Sequence, residues 1–195
     1  MAIFRYLTHP QVKIDPAVEV PKWGLSEEGK ARANLLAKSD ALIGTKTIVS
    51  SDEVKAIETA TPIARALGLD IKLEAASHEN DRSATGFLPP SEFEKAADQF
   101  FAHPETSFRG WERAIDAQAR ILGVFDKVTA HAATDDILMV GHGGVGTLLY
   151  CALAQKSIAR SRDQSAGGGC LWSYHLETRE MIHGWRSIEE VMQSS

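Results

Sequence analysis

The sequence predicts an α/β fold with three layers: a mostly parallel central sheet and helices on both of its faces. Three observations support this. Short apolar, β-rich runs alternate with segments of helical periodicity along most of the chain. The clearest run, Ile137 to Val140, passes directly into a glycine-rich helix opening. Near the end, Leu171 to Leu176 and Met181 to Gly184 suit an antiparallel pair joined by a polar turn, which makes the sheet mixed. A length of 195 residues favours one domain, residues 1–195, with a helix-and-loop cover over one end of the sheet at about 76–108.

In chain order, Ala2 to Leu7 reads as the first strand. Thr8-His9-Pro10 ends it, because proline cannot donate to a ladder and restricts its predecessor. Pro16 and Pro21 mark an ordered surface loop running to Trp23-Gly24. Ser26 then caps a helix that extends to about Lys38, with Glu27 and Glu28 in its first turn. Thr47 to Val49 is the second strand. Ser50 and Glu53 have capping-box spacing, and Ala56, Ala60, Ile63, Ala64 and Leu67 follow at helical intervals as far as Gly68. Ile71 to Leu73 forms a third strand, and His78 to Pro90 is a long polar loop. Ser91 to about Phe101 is helical. A longer helix follows, with Trp111, Ile115, Gln118, Leu122 and Phe125 tracing one side. Val145, Leu148, Leu149 and Ala152 mark the helix after the Ile137 strand. Gly167 to Gly169 suits either a turn or a loop closing over a pocket.

Hydrophobic residues make up 44% and charged residues 24%, the composition of an ordinary globular protein. A net charge of -5 offers no general attraction for nucleic acid or anionic membrane. The opening turns polar too soon for a signal peptide, and no later run approaches a membrane span, so the expected location is cytoplasmic and the expected partner a small soluble molecule. Homo-oligomerisation is left open. Cys151 and Cys170 form neither a metal-like spacing nor a disulfide framework. The histidines and carboxylates lack a compact ligand spacing as well, so no metal and no cofactor is expected.

Chemistry concentrates at strand ends. His9 and His142 each follow an apolar strand, and a parallel sheet places both at the carboxyl edge where such folds form ligand crevices. Lys55 lies just beyond another strand end, and backbone N–H groups around Gly143 and Gly144 open a helix, which suits an anion. Together they describe a phosphate or carboxylate pocket, in which a neutral imidazole can attack phosphorus if donors balance the equatorial oxygens. Singly, each residue also fits a plainer role: a histidine satisfying backbone groups, or a solvated lysine. Gly141, Gly143 and Gly146 also satisfy the G-x-G-x-x-G pattern of dinucleotide sites. That reading needs an acid about twenty positions later at a second strand end. Asp163 instead falls in polar sequence leading to Gly167, so the nucleotide reading is set aside.

Four blocks carry a family resemblance over nearly the whole chain. Tyr6-Leu7-Thr8-His9-Pro10 resembles the arginine-histidine-glycine motif of the histidine phosphatase superfamily, in its phosphoglycerate-mutase-like branch, with His9 at the nucleophile. The segment from Leu25 to Ala33 is similar to the helix opening that follows that motif. Ser50 to Ala60 resembles the serine-serine to threonine-alanine block, with Lys55 where the second phosphate-binding arginine stands, and Met139 to Val145 resembles the strand carrying the second catalytic histidine, His142. The resemblance implies a phosphoglycerate-mutase-like fold in which His9 accepts the phosphoryl group and His142 contacts its oxygens. Glu79 is assigned as the acid, with Asp81 as its rival, and Thr8, Lys55 and Gly143 are the implied phosphate-binding positions.

Three departures bear on turnover. Thr8 replaces an arginine, Lys55 keeps charge without the planar fork, and Pro10 replaces the glycine after the nucleophile. Arg5 cannot stand in for the missing arginine, since positions 5 and 8 point to opposite sides of a strand. Arg82, in the middle loop, can. The reading leans to an enzyme: a metal-independent phosphomonoester hydrolase that acts through phosphohistidine on a small phosphorylated metabolite. The alternative is a catalytically impaired binder of phosphate or phosphorylated ligands.

Overall fold

A computed structural model describes residues 2–130 and 134–193. Six strands form one sheet: β1 (Ile3–Thr8), β2 (Thr45–Ser50), β3 (Ile71–Leu73), β4 (Asp136–Gly141), β5 (Cys170–His175) and β6 (Glu180–Ser187), in the order β3-β2-β4-β1-β5-β6. The first four run parallel, while β5 and β6 are antiparallel additions beside β1. The helices are α1 (Glu27–Ala37), α2 (Val54–Leu67), α3 (Pro90–Ala102), α4 (Ala114–Thr129), α5 (Gly143–Leu153) and the short α6 (Ile188–Gln193).

Strand alternation sorts the core into two layers. Phe4, Tyr6, Ile137, Met139 and Trp172 face one way and pack with Ile121 and Phe125 of α4 and Leu148 and Leu149 of α5. Leu7, Ile48, Leu138 and Val140 face the other way, against Leu36 of α1 and Ala56, Ala60 and Ile63 of α2. The sheet is therefore the middle of three layers, as the buried parallel strands require.

Two local expectations are corrected. The inner face of α4 is Ala114, Ala117, Ile121, Val124 and Phe125, while Ile115 is exposed and Trp111 precedes the helix. Small alanines let the helix approach the sheet closely, so the bulky stripe misplaces its face. The capping box at Ser50 and Glu53 does not form either: the Ser50 hydroxyl donates to the Ser51 carbonyl at 2.8 Å, and the Glu53 carboxylate makes no cap.

Pairing sets the parallel strand ends level, with Thr8 opposite Gly141 and Ser50 opposite Val140. The two ladders run one residue further, through His9 N–H to the Gly141 carbonyl and Ser51 N–H to the Val140 carbonyl, both at 3.0 Å. Residues far apart in sequence thus leave the sheet side by side. At the opposite end, Arg5 pairs with Asp136 at 2.8 Å, well away from this edge.

Candidate active site

At that edge the His9 and His142 rings lie 5.3 Å apart between centroids, with planes at 68°. His9 Nδ1 is 2.9 Å from the Pro10 carbonyl oxygen. A carbonyl only accepts, so Nδ1 carries the proton and Nε2 keeps its lone pair. Burial, reinforced by neighbouring His142, pushes the His9 pKa down to about 3, so the imidazole is neutral at pH 7. The group that orients the ring is the backbone carbonyl of residue 10, so the proline there does not remove it.

His142 is fully buried. Its Nε2 is 2.9 Å from Ser51 Oγ and 3.4 Å from Glu53 Oε1, and its Nδ1 has no partner among the described residues. Tyr6 grips its backbone from within the core: the His142 N–H donates to the phenol oxygen at 3.1 Å, and the phenol donates back to the His142 carbonyl at 3.2 Å. Burial lowers the His142 pKa, and the opposing pull of Glu53 and Glu79 does not overcome it.

Lys55 is only 3% exposed; it pairs with Glu53 and donates to the Val20 carbonyl at 2.9 Å. Burial works against the Glu53 charge, but His142 and the Lys55 ammonium outweigh it and hold the Glu53 pKa at about 2. The lysine expected to meet phosphate with a free charge is thus shared with a carboxylate.

Glu79 reaches the start of α5. Its carboxylate accepts the N–H groups of Gly144 at 3.1 Å, Val145 at 3.0 Å and Asn80 at 3.0 Å, and its own N–H donates to Glu53 Oε1 at 3.1 Å. Arg120 fixes the approach by donating to the carbonyls of Ala76, His78 and Glu79 at 2.8, 3.0 and 3.3 Å. Burial alone would raise the Glu79 pKa, but neighbouring His142 and Arg82 and the amide donors lower it. At rest Glu79 is a carboxylate, and it occupies an amide expected to face an anionic ligand. Gly143 N–H remains free at the helix start among the described residues.

Thr8 corrects the expected phosphate contact. It is fully buried, its Oγ1 accepting from Cys170 N–H at 3.0 Å and donating to Gln164 Oε1 at 2.5 Å. As the last residue of β1 beside β5, its side chain is turned into the sheet edge. The Asp81 carboxylate accepts Ser83 N–H at 2.8 Å within its own exposed loop. Arg82 packs its guanidinium over the Phe93 ring, 4.9 Å from the centroid, and lines a cavity of about 800 Å³ with Glu53 and Glu79. The walls of that cavity come from the Pro16 to Pro21 strap and the 75–87 segment.

The family model of the histidine phosphatase superfamily (branch 1) matches residues 15–182. The chain belongs to that superfamily. Phosphoserine phosphatase 1 of Hydrogenobacter thermophilus is 26% identical over 163 residues, covering 81% of this chain and 77% of the relative. Among solved structures, a mycobacterial glucosyl-3-phosphoglycerate phosphatase in complex with inorganic phosphate superposes with a TM-score of 0.80, at 19% identity over 97% of this chain and 99% of that one. Phosphoserine phosphatase from Entamoeba histolytica, in complex with 3-phosphoglyceric acid, gives 0.77 at 14% identity, covering 96% and 98%.

For this histidine phosphatase the matched span begins beyond His9, so the placing of His9 rests on the ring geometry above. The glycine pattern also has a plain explanation. A Cβ on Gly141 or Gly146 would overlap the Tyr6 side chain, so these glycines admit the tyrosine that grips His142. Gly167, Gly168 and Gly169 all have positive φ, at 90°, 63° and 62°. Gly169 N–H donates to the His9 carbonyl at 3.0 Å and a Cβ on Gly168 would overlap that oxygen, so the run braces the His9 backbone. Tyr6, Ser51, Glu53 and Gln164 were not singled out from sequence as site residues; Glu53 entered only as the capping-box partner of Ser50, and between Asp52 and Lys55 its charge marks nothing locally.

Proposed function

We propose that the protein is a metal-independent phosphomonoester hydrolase that forms a phosphohistidine on His9, acting on a small phosphorylated metabolite. The carrying observation is the His9 tautomer: the Pro10 carbonyl ties down Nδ1, leaving a lone pair on Nε2 of a neutral ring 5.3 Å from that of His142. Nε2 attacks phosphorus as the ester P–O bond breaks, and the leaving oxygen takes a proton. Water then attacks the phosphohistidine and gives a proton to the carboxylate left by the first step, the P–N bond breaks with its electron pair returning to Nε2, and phosphate departs.

His142 steadies the phosphoryl oxygens through Nδ1–H: Nε2 accepts the Ser51 hydroxyl, so the neutral ring carries its proton on Nδ1. Glu79 is the proton carrier. It is ionised at rest, and an incoming phosphoryl anion is a like charge that raises its proton affinity; the substrate monoanion, with a second pKa of about 6, brings the proton. Arg82 offsets charge from the cavity side, where the leaving group sits among Pro16, Val20 and Phe87. The names of the phosphatase relatives support a small metabolite as substrate.

The second reading, a phosphate binder with impaired turnover, is favoured by the Lys55–Glu53 pairing and the burial of Thr8. Incubating the protein with a panel of phosphomonoesters in the presence of chelator separates the two. Hydrolysis predicts phosphate release that His9→Ala abolishes; binding of orthovanadate without release of phosphate from any ester supports the second reading.

A further inference from the structure

Gln164 lies in the loop before β5, far in sequence from both histidines, yet its side chain is placed between their neighbours. Its Oε1 accepts the Thr8 hydroxyl at 2.5 Å, and Thr8 immediately precedes His9. Its Nε2 lies against Gly143, the residue after His142, so closely that a Cβ there would overlap it. The structure turns Oε1, not Nε2, toward Thr8. Cys170 N–H donates to Thr8 Oγ1 at 3.0 Å, so the hydroxyl keeps one proton to give, and Gln164 Oε1 is its nearer acceptor. The adjoining chain is anchored too: Asp163 accepts from the Thr147 hydroxyl and from Gln164 N–H, both at 2.8 Å, and from Arg160 at 2.9 Å. The result is an immobilised amide whose NH₂ makes no hydrogen bond among the described residues and lies against Gly143, whose own N–H is free among them; the residue before it, His142, is fully buried with an Nδ1 that has no partner among the described residues.

We propose that the Gln164 side-chain amide is a phosphate-binding donor, aimed at the phosphoryl oxygens by the Thr8 hydroxyl. This rests on the hydrolase reading above and adds a residue to it. An amide fixed in advance loses little freedom when an oxyanion arrives, and it supplies a donor without a charge. Thr8 is then a positioning residue, acting through the glutamine.

Two variants test this, with orthovanadate and inorganic phosphate as probes of binding and para-nitrophenyl phosphate as probe of turnover. Gln164→Ala is expected to weaken vanadate and phosphate binding at least about tenfold and to lower turnover about 10²-fold, the scale of losing one oxyanion donor. Gln164→Glu keeps the shape and the acceptor for Thr8 but replaces the NH₂ with an anion. It is expected to bind phosphate more weakly than Gln164→Ala, whereas a merely structural glutamine would leave Gln164→Glu close to wild type. Thr8→Val should reproduce part of the Gln164→Ala loss and add little to it in the double variant. Wild-type turnover with unchanged phosphate binding in Gln164→Glu overturns the Gln164 assignment and leaves the hydrolase reading standing. A wild type that binds neither probe and hydrolyses no ester overturns both. If the wild type binds vanadate without turnover, the binding losses of the two variants still decide for or against Gln164.

Discussion

Glu53 holds two neighbours with one carboxylate: Lys55 by an ion pair through one oxygen, and the Glu79 N–H at 3.1 Å through the other. Truncating one partner of a buried pair leaves the other charge uncompensated, so Glu53→Ala should cost about 3 to 5 kcal/mol of stability, read from urea unfolding. Adding Lys55→Met should recover most of that loss, because both charges then leave together. A double variant as unstable as Glu53→Ala would refute the pairing. The contrast with the histidines shows what a sequence discloses. His9 and His142 were legible because strand, breaker and motif are all local. Glu53 depends on residues 79 and 142, and Gln164 on a hydroxyl 156 positions away, so no local pattern announces either. Thr8 was located correctly but not its direction, which β5 decides.

The element that matters most is α5, whose start carries His142, the free Gly143 amide and the Glu79 cap. Gly146 inside it looks improvable, since alanine gains about 1 kcal/mol of helix propensity. The Tyr6 ring occupies that space, stacked on Trp172 at 5.4 Å with planes 7° apart, and it has little room to yield. Overpacking of such a core costs about 1 to 3 kcal/mol, so Gly146→Ala should be destabilised overall and should displace His142 through the Tyr6 hydroxyl. Calorimetry showing a raised melting temperature would contradict this. Most elements were readable from apolar runs bounded by glycine and proline. The face of α4 was not, because Ala114 and Ala117 on its inner side carry little hydrophobic bulk, while Ile115, which looks like core, is exposed.

Across the whole molecule, the buried ionisable groups couple folding to pH. The unfolded chain protonates Glu53 near 4.5, the folded chain only near about 2; for His9 the corresponding values are 6.5 and about 3. In both cases the unfolded state binds more protons between the two values. The contribution of Glu53 is therefore present above 4.5 and lost as pH falls toward 2, and that of His9 is full above 6.5 and lost as pH falls toward 3. Unfolding midpoints should decline steadily below pH 6.5, and His9→Phe should make the upper part of that decline shallower; an equal slope in the variant would show that His9 is not the group responsible.

The layered fold and its level strand ends bring His9 and His142 side by side, and the proposed function rests on a neutral His9 imidazole being presented to phosphorus. The most direct measurement is rapid quenching into alkali during hydrolysis of a phosphomonoester, followed by mass spectrometry of the peptides. The account predicts a phosphoryl group on the peptide containing His9, stable to alkali, lost in acid and absent from His9→Ala. Phosphate release at the wild-type rate by His9→Ala, or a phosphoryl group on another residue in its place, would contradict it.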